Sequence, residues 1–177
     1  MDRVFLGVAD ILQAFPGMLL VLALAAFLPA PKEGNGLWVG IQNLVLVLTL
    51  VGWVGYARTT RAQVLSLREK DFIMAALSLG VRLPRLFFKY ILPNIAGPLL
   101  VQASFGLAGV ILIESTLSFL GLGLPLDTPS FGRMLDSGSS LLLVAPYLSI
   151  FPGLAIMVSV LTFNLVGDQL RDHFSRR

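Results

Sequence analysis

Few side chains in this chain could do chemistry inside an apolar environment. Those lying in or beside long apolar runs are Asp10, Gln13, Gln102, Glu114, Asn164 and Asp168. At membrane depth such groups are costly, face a bundle interior, and either line a solute path or tie helices together by hydrogen bonds. Both roles stand for Gln102, Glu114 and Asn164. Glu114 falls at the end of its run, where a capping or interhelical hydrogen bond fixing the Leu117–Gly123 turn is the first expectation and a place on the substrate path the second. Asp10, Asn164 and Asp168 lie toward the basic ends of their runs, where solvated or helix-tying roles are expected. Catalysis finds no support: no carboxylate pair, histidine cluster or Ser/Lys arrangement occurs at helical spacing, and His173 sits alone in a basic tail. The absence of cysteine excludes disulfides, thiolate zinc sites and cysteine nucleophiles. No Gly-x-x-x-x-Gly-Lys-[Ser/Thr] occurs, so ATP has no cradle here. Energy for any transport must come from a partner or a gradient, and no cofactor or metal is expected.

The elements that hold these groups are membrane spans. Of 177 residues 56% are hydrophobic and only 13% charged, with a mean hydropathy of +0.85. A soluble fold carries about 25% charged residues, and 23 charges here would leave large apolar patches in water. Crossing ~30 Å of hydrocarbon takes about 20 helical residues. Runs free of charge at 11–31, 34–57, 90–113 and 137–167 place four spans at about 9–30, 36–57, 95–116 and 144–167. Backbone groups in lipid must pair within the segment, so these are helices, and the alternating short segments of a β-barrel are absent. The expected fold is an all-α, polytopic membrane helical bundle forming one domain over 1–177. Pro16-Gly17, Pro98, Gly106, Gly109 and Pro152-Gly153 sit inside the runs, where small residues allow close helix approach.

Basic residues orient the bundle. Arg3, the seven from Arg58 to Lys89, and Arg171, Arg176 and Arg177 lie on one side, leaving Lys32 and Arg133 on the other. Cytoplasmic loops carry the excess of Lys and Arg, which puts both termini and the 58–94 loop inside and the 121–143 loop outside. An even number of spans demands the same. A cleaved signal peptide within Met1–Ala30 is a weaker alternative, because Asp10 and Gln13 interrupt the run. The net charge of +3 is thus the remainder of a sided distribution, not a nucleic-acid signal.

The 58–94 loop is the least membrane-like stretch. Phe72, Ile73, Ala76, Leu77 and Gly80 follow the spacing of one amphipathic helical face. Gly80 suits the left-handed position that ends a helix, and Pro84 the first turn of a second short one, which Leu92-Pro93 ends before the next span. Ala75 and Ala76 would offer a low-relief surface, with Arg82, Arg85 and Lys89 placing positive charge around the turn. Two roles compete: lying on anionic inner-leaflet lipid, or receiving the motion of a cytoplasmic partner.

Ala75-Ala76-Leu77-Ser78-Leu79-Gly80, with Leu92-Pro93 following, resembles the EAA motif of ABC-importer permeases. Two further blocks, Glu114-Ser115-Thr116-Leu117-Ser118-Phe119-Leu120-Gly121-Leu122-Gly123 and Phe151-Pro152-Gly153 through Asp168-Gln169-Leu170-Arg171-Asp172, are similar to those of the dipeptide/oligopeptide/nickel permease family. The three in order span nearly the whole chain.

That resemblance implies a type I importer permease of the cytoplasmic (inner) membrane. It would pair with a second permease subunit and two cytoplasmic ATPase subunits, which bind the ATP, and would receive solute from an extracytoplasmic solute-binding protein. It also implies that residues 71–94 form the coupling element, with Asp71, Ala75, Ala76, Gly80, Arg82, Pro84, Arg85, Leu92 and Pro93 meeting the ATPase. Met74 stands where the motif has Glu, and Tyr90 where it has Ile. Family members usually have six spans, and this chain resembles the part from the third onward, as a fragment or a truncated product would. An ATPase-independent channel or gradient-driven transporter, and an inactive truncated permease, are the alternative expectations.

Overall fold

The computed structural model describes residues 2–29, 36–125 and 128–175, with side chains for 7–29, 36–125 and 128–174. Lys32, Arg176 and Arg177, which entered the charge count, lie outside the described residues, as does Ala30 at the end of the first expected span. Eight α-helices and one short π-helical segment occur among the described residues, and no strand. They are α1 (Asp2–Ala14), α2 (Gly17–Phe27), α3 (Gly36–Arg68), α4 (Asp71–Ser78), α5 (Leu83–Leu86), α6 (Leu92–Phe119), α7 (Phe131–Ser139) and α8 (Tyr147–Ser175), with the π segment at Phe87–Ile91.

Three stretches are long and apolar enough to cross a membrane: Gly36–Arg68, Leu83–Phe119 and Tyr147–Phe174. The expected spans at 36–57 and 95–116 lie inside the first two. The expected span at 9–30 is not one straight helix, because α1 and α2 meet at 92°. Pro16 is the cause. It has no N–H to donate, and its ring drives the preceding Phe15 out of the helical region. Pro16 itself sits at φ −56°, ψ 121°, and its carbonyl accepts from the Leu20 amide to start α2. The 11 residues of α2 are about 16 Å long, half of the ~30 Å hydrocarbon thickness, so only the bent pair together could count as a fourth span.

Other boundaries shift for equally local reasons. Arg58, Arg61 and Arg68 ride on α3 and not on a loop, since no Gly or Pro stops that helix before Arg68. The stretch expected to be helical from 144 stays a turn through Pro146, which disfavours helix at Ala145 and then caps α8 by accepting from the Ser149 and Ile150 amides. The expected 121–143 loop contains α7. Its N-cap is Ser130, whose hydroxyl accepts from the Arg133 amide at 3.2 Å.

The chain divides into two compact units, 1–52 with 107–162 and 53–106 with 163–177. In the first, Val21, Val47 and Leu117 are buried, with Leu22, Leu24, Ala25, Leu28, Val51 and Ile113 packed around them. This cluster joins α2 to parts of α3 and α6. Asn43 adds a polar tie by donating to the Pro29 carbonyl at 2.9 Å. Gly132 lies against the Ser115 backbone and Gly138 against Leu148 and Ser149, so α7 sits where side chains would not fit. In the second unit, Gly97 faces the Phe174 ring, Gly106 the Tyr56 hydroxyl and Gly167 the Phe105 ring. Its separate cluster of Ile73, Ala76 and Leu86 positions the candidate site.

Candidate functional site

The site is a helix–turn–helix between two membrane-crossing helices. α3 ends as the Lys70 amide donates to Leu67, and the Lys70 carbonyl then accepts from Ile73 and Met74 to open α4. Asp71 occupies the first turn of α4, where its charge meets the positive end of the helix dipole. Only eight residues later α4 stops. Gly80 takes φ +73°, its amide donates to Leu77 at 2.9 Å, and the Val81 amide reaches back to Ala76 at 3.1 Å. This pair of bonds is a Schellman termination, sealed by Val81 packing on the Ile73–Ala76–Leu86 cluster. α6 ends by the same device, with Gly121 at φ +76° and amide bonds from Gly121 to Ser118 and from Leu122 to Leu117.

Beyond the turn, Arg82 is extended and its carbonyl accepts from Leu86, with Pro84 in the first turn of α5 as the residue order predicts. Leu92-Pro93 does not end that helix, contrary to the sequence expectation. The chain widens into the π segment at Phe87–Ile91, the Leu92 amide bonds to Phe87, and the helix runs on to Phe119. A widened turn relieves the clash of Pro93 with the preceding carbonyls. The Asn94 side chain completes the repair by donating to the Tyr90 carbonyl at 2.6 Å.

The expected site residues divide by exposure. Asp71, Ala75, Gly80, Arg82, Pro84, Arg85, Leu92 and Pro93 are exposed, whereas Ala76 is 5% exposed and serves the internal packing. Ala75 and Ala76 therefore do not form one docking surface. The packing stripe is Ile73 and Ala76 against Leu86, and Phe72 and Leu77, which helical spacing assigns to it, stay exposed. Leu79 at 84% and Leu83 at 74% exposure flank the glycine turn, and sequence reasoning passed over both. Their signal was position: a leucine on either side of a helix-stopping glycine has no interior to enter. Arg82, Arg85 and Lys89 follow in the chain and are exposed, the last with its ammonium 5.7 Å from the Tyr90 ring centre. The result is an exposed apolar turn with exposed cations next to it in sequence.

Of the polar residues of the spans, Gln102 and Glu114 sit on α6 and Asn164 on α8. Glu114 accepts from Ser118 at 2.7 Å and, weakly, from Ser115 at 3.5 Å, all on α6. Ser118 is 2% exposed and lies against Gly123, so Glu114 is bonded to the Leu117–Gly123 turn. In the other unit, Gln102 places its amide nitrogen 3.1 Å from where a Cβ on Gly55 would stand, and its Oε1 is buried without a partner. Asn164 is half-buried on α8. His173 stacks edge-on to Phe174 with ring centres 5.5 Å apart. Among the described residues no group of His, Asp and Glu could hold a metal ion.

Against known proteins, residues 1–177 match the family described as binding-protein-dependent transport system inner membrane component. The dipeptide transport system permease protein of Alkalihalophilus pseudofirmus is 39% identical over 171 residues, covering 97% of this chain and 53% of the relative. The oligopeptide transport system permease protein of Bacillus subtilis is 36% identical over 171 residues, with coverage of 97% and 53%. The glutathione transport system permease protein of Shigella dysenteriae is 36% identical over 171 residues, with coverage of 97% and 54%. The chain spans about half the length of the curated relatives it matches.

Proposed function

The chain belongs to the family of binding-protein-dependent transport system inner membrane components, and from that membership we propose that it is a membrane-spanning permease subunit of an ATP-driven peptide importer. As a multi-pass inner-membrane protein it would work with a second permease subunit, two cytoplasmic ATPase subunits and an extracytoplasmic solute-binding protein. The substrate class is peptidic. The relatives named above are called dipeptide, oligopeptide and glutathione permeases, which favours short peptides over nickel. Both termini and the α4–α5 hairpin face the cytoplasm, on the positive-inside distribution of the basic residues.

The observation that carries the coupling role is the Gly80 turn. It locks two short helices into a hairpin whose turn exposes Leu79 and Leu83, with exposed Arg82, Arg85 and Lys89 close by in the chain. A hairpin rooted in two long helices is a lever. Motion of an ATPase groove gripping the tip would pass directly into α3 and into the helix that begins at Leu83. The packed Ile73–Ala76–Leu86 cluster keeps that transfer from dissipating in a flexible loop. Binding is then mainly burial of the two leucines, each worth about 1.5–3 kcal/mol when fully covered, with the cations supplying orientation.

Co-purification tests it. A tagged chain co-expressed with its cognate ATPases should retain them, and Ala75→Asp should release them without loss of membrane insertion. Retention of the ATPases by the Ala75→Asp chain would rule out this face as the contact.

A further inference from the structure

The turn between α7 and α8 carries four consecutive apolar residues in the open. Leu141 and Leu142 are about half exposed, Leu143 is 101% exposed and Val144 84%. Four such side chains at the tip of a turn are not stable in water, and no described residue of the chain covers them. The turn is not a failed helix start. The Leu141 amide donates to Gly138 at 3.0 Å, and the Leu141 carbonyl accepts from Val144 at 3.0 Å and Ala145 at 2.7 Å, so the tip has a defined shape.

Two observations say what covers it. The first is continuity with the exposed apolar exterior of α8, a helix long and apolar enough to cross a membrane. Only Ala145-Pro146 separates the turn from Tyr147, which is 56% exposed, and exposed Ile150, Phe151 and Leu154 follow. No charged residue occurs from Ser137 to Gly167, so nothing in the run carries the cost of placing a charge in lipid. Tyr147, amphipathic and exposed at the start of a crossing helix, marks head-group level. The second concerns depth. Among the described residues the amides of Leu142 and Leu143 have no hydrogen-bond partner. Unpaired donors are not tolerated within the hydrocarbon, yet head groups and interfacial water satisfy them readily.

We propose that Leu141–Val144 is a lipid-inserting wedge, seated at the boundary between head groups and acyl chains, that fixes where α8 enters the bilayer. Its backbone stays among the head groups while the side chains reach about 5–10 Å inward, the depth of interfacial apolar faces.

The chain has no cysteine, so single reporters can be placed cleanly. Leu143→Cys and, for comparison, Ser139→Cys at the exposed last residue of α7 would each carry an environment-sensitive fluorophore. The chain is reconstituted in phosphatidylethanolamine–phosphatidylglycerol vesicles containing nitroxide lipids labelled either near the head group or near the acyl end. At 143 the expected result is blue-shifted emission, protected from aqueous iodide and quenched more by the shallow nitroxide than by the deep one. At 139 emission should be water-like. Iodide quenching at 143 equal to that at 139 would overturn the proposal by placing the turn in water. Blue-shifted emission that neither nitroxide quenches would overturn it in favour of a protein cover, and stronger quenching by the deep nitroxide would overturn the assigned depth.

Discussion

Substitution of Gly80 separates the geometry of the hairpin from its surface chemistry. At φ +73° a residue with a Cβ meets its own backbone, whereas nothing else lies within 4 Å of where that Cβ would stand. The cost of Gly80→Ala is therefore purely conformational, about 1–2 kcal/mol. That cost falls on the α4–α5 hairpin alone and shifts its closed–open balance roughly 5- to 30-fold. Asn tolerates the left-handed region, so Gly80→Asn should sit between Gly and Ala. Gly80→Pro cannot adopt this φ and deletes the amide that donates to Leu77, a combined cost of about 3 kcal/mol or more. Limited proteolysis within 71–91 reads the opening directly, and ATP hydrolysis by the assembled importer reads its consequence. Both should rank Gly, Asn, Ala, Pro from best to worst. An Ala variant as protease-resistant as the parent would refute the assignment of the turn as the hairpin's lock. Equal damage from Ala and Asn would refute the backbone as its cause.

The remaining predictions probe packing and surface in turn. Ala76→Asp, placing a charge at a site 5% exposed, should open the hairpin to protease at a cost of at least about 2 kcal/mol, whereas exposed Ala75→Asp should leave proteolysis unchanged while releasing the ATPase in pull-downs. Gly132→Ala would drive a methyl group into the Ser115 carbonyl, and because backbone cannot swing aside the loss should reach the upper part of the usual overpacking range of about 1–3 kcal/mol, read as a lower melting temperature in detergent. Ser118→Ala removes the 2.7 Å bond to Glu114 and should cost about 1–2 kcal/mol in the same assay, while Ser115→Ala, whose bond is 3.5 Å long, should change little.

Much of the architecture was legible in composition because charge is expensive in lipid. The second and third expected spans lie inside α3 and α6, and the Gly80 and Pro84 signals land where a left-handed stop and a helix first turn occur. The failures share a cause, which is that hydropathy sums side chains and ignores the backbone. Residues 14–30 carry no charged or amide side chain, yet Pro16, with no N–H to donate, separates two helices that meet at 92°. Pro93 misled in the opposite sense, since a π turn and the Asn94 side chain absorb it. Helix α7 escaped notice because it is nine residues long and its packing depends on the absence of side chains at Gly132 and Gly138. Ala75 and Ala76 are the same by type, and only helical spacing separates them: it put Ala76 on the apolar face with Ile73, and there it packs against Leu86 beyond the turn.

Site-specific crosslinking from the hairpin tip tests the central claim most directly. With no native cysteine to interfere, Leu79→Cys bearing a short photoreactive crosslinker should capture the ATPase subunit in membranes holding the full set of partners. The yield should change between ATP-bound and nucleotide-free conditions, while the same probe at Ser139 captures none. Crosslinks from position 79 to lipid alone, with no ATPase adduct in either nucleotide state, would contradict the account and return the hairpin to the role of a membrane-surface helix.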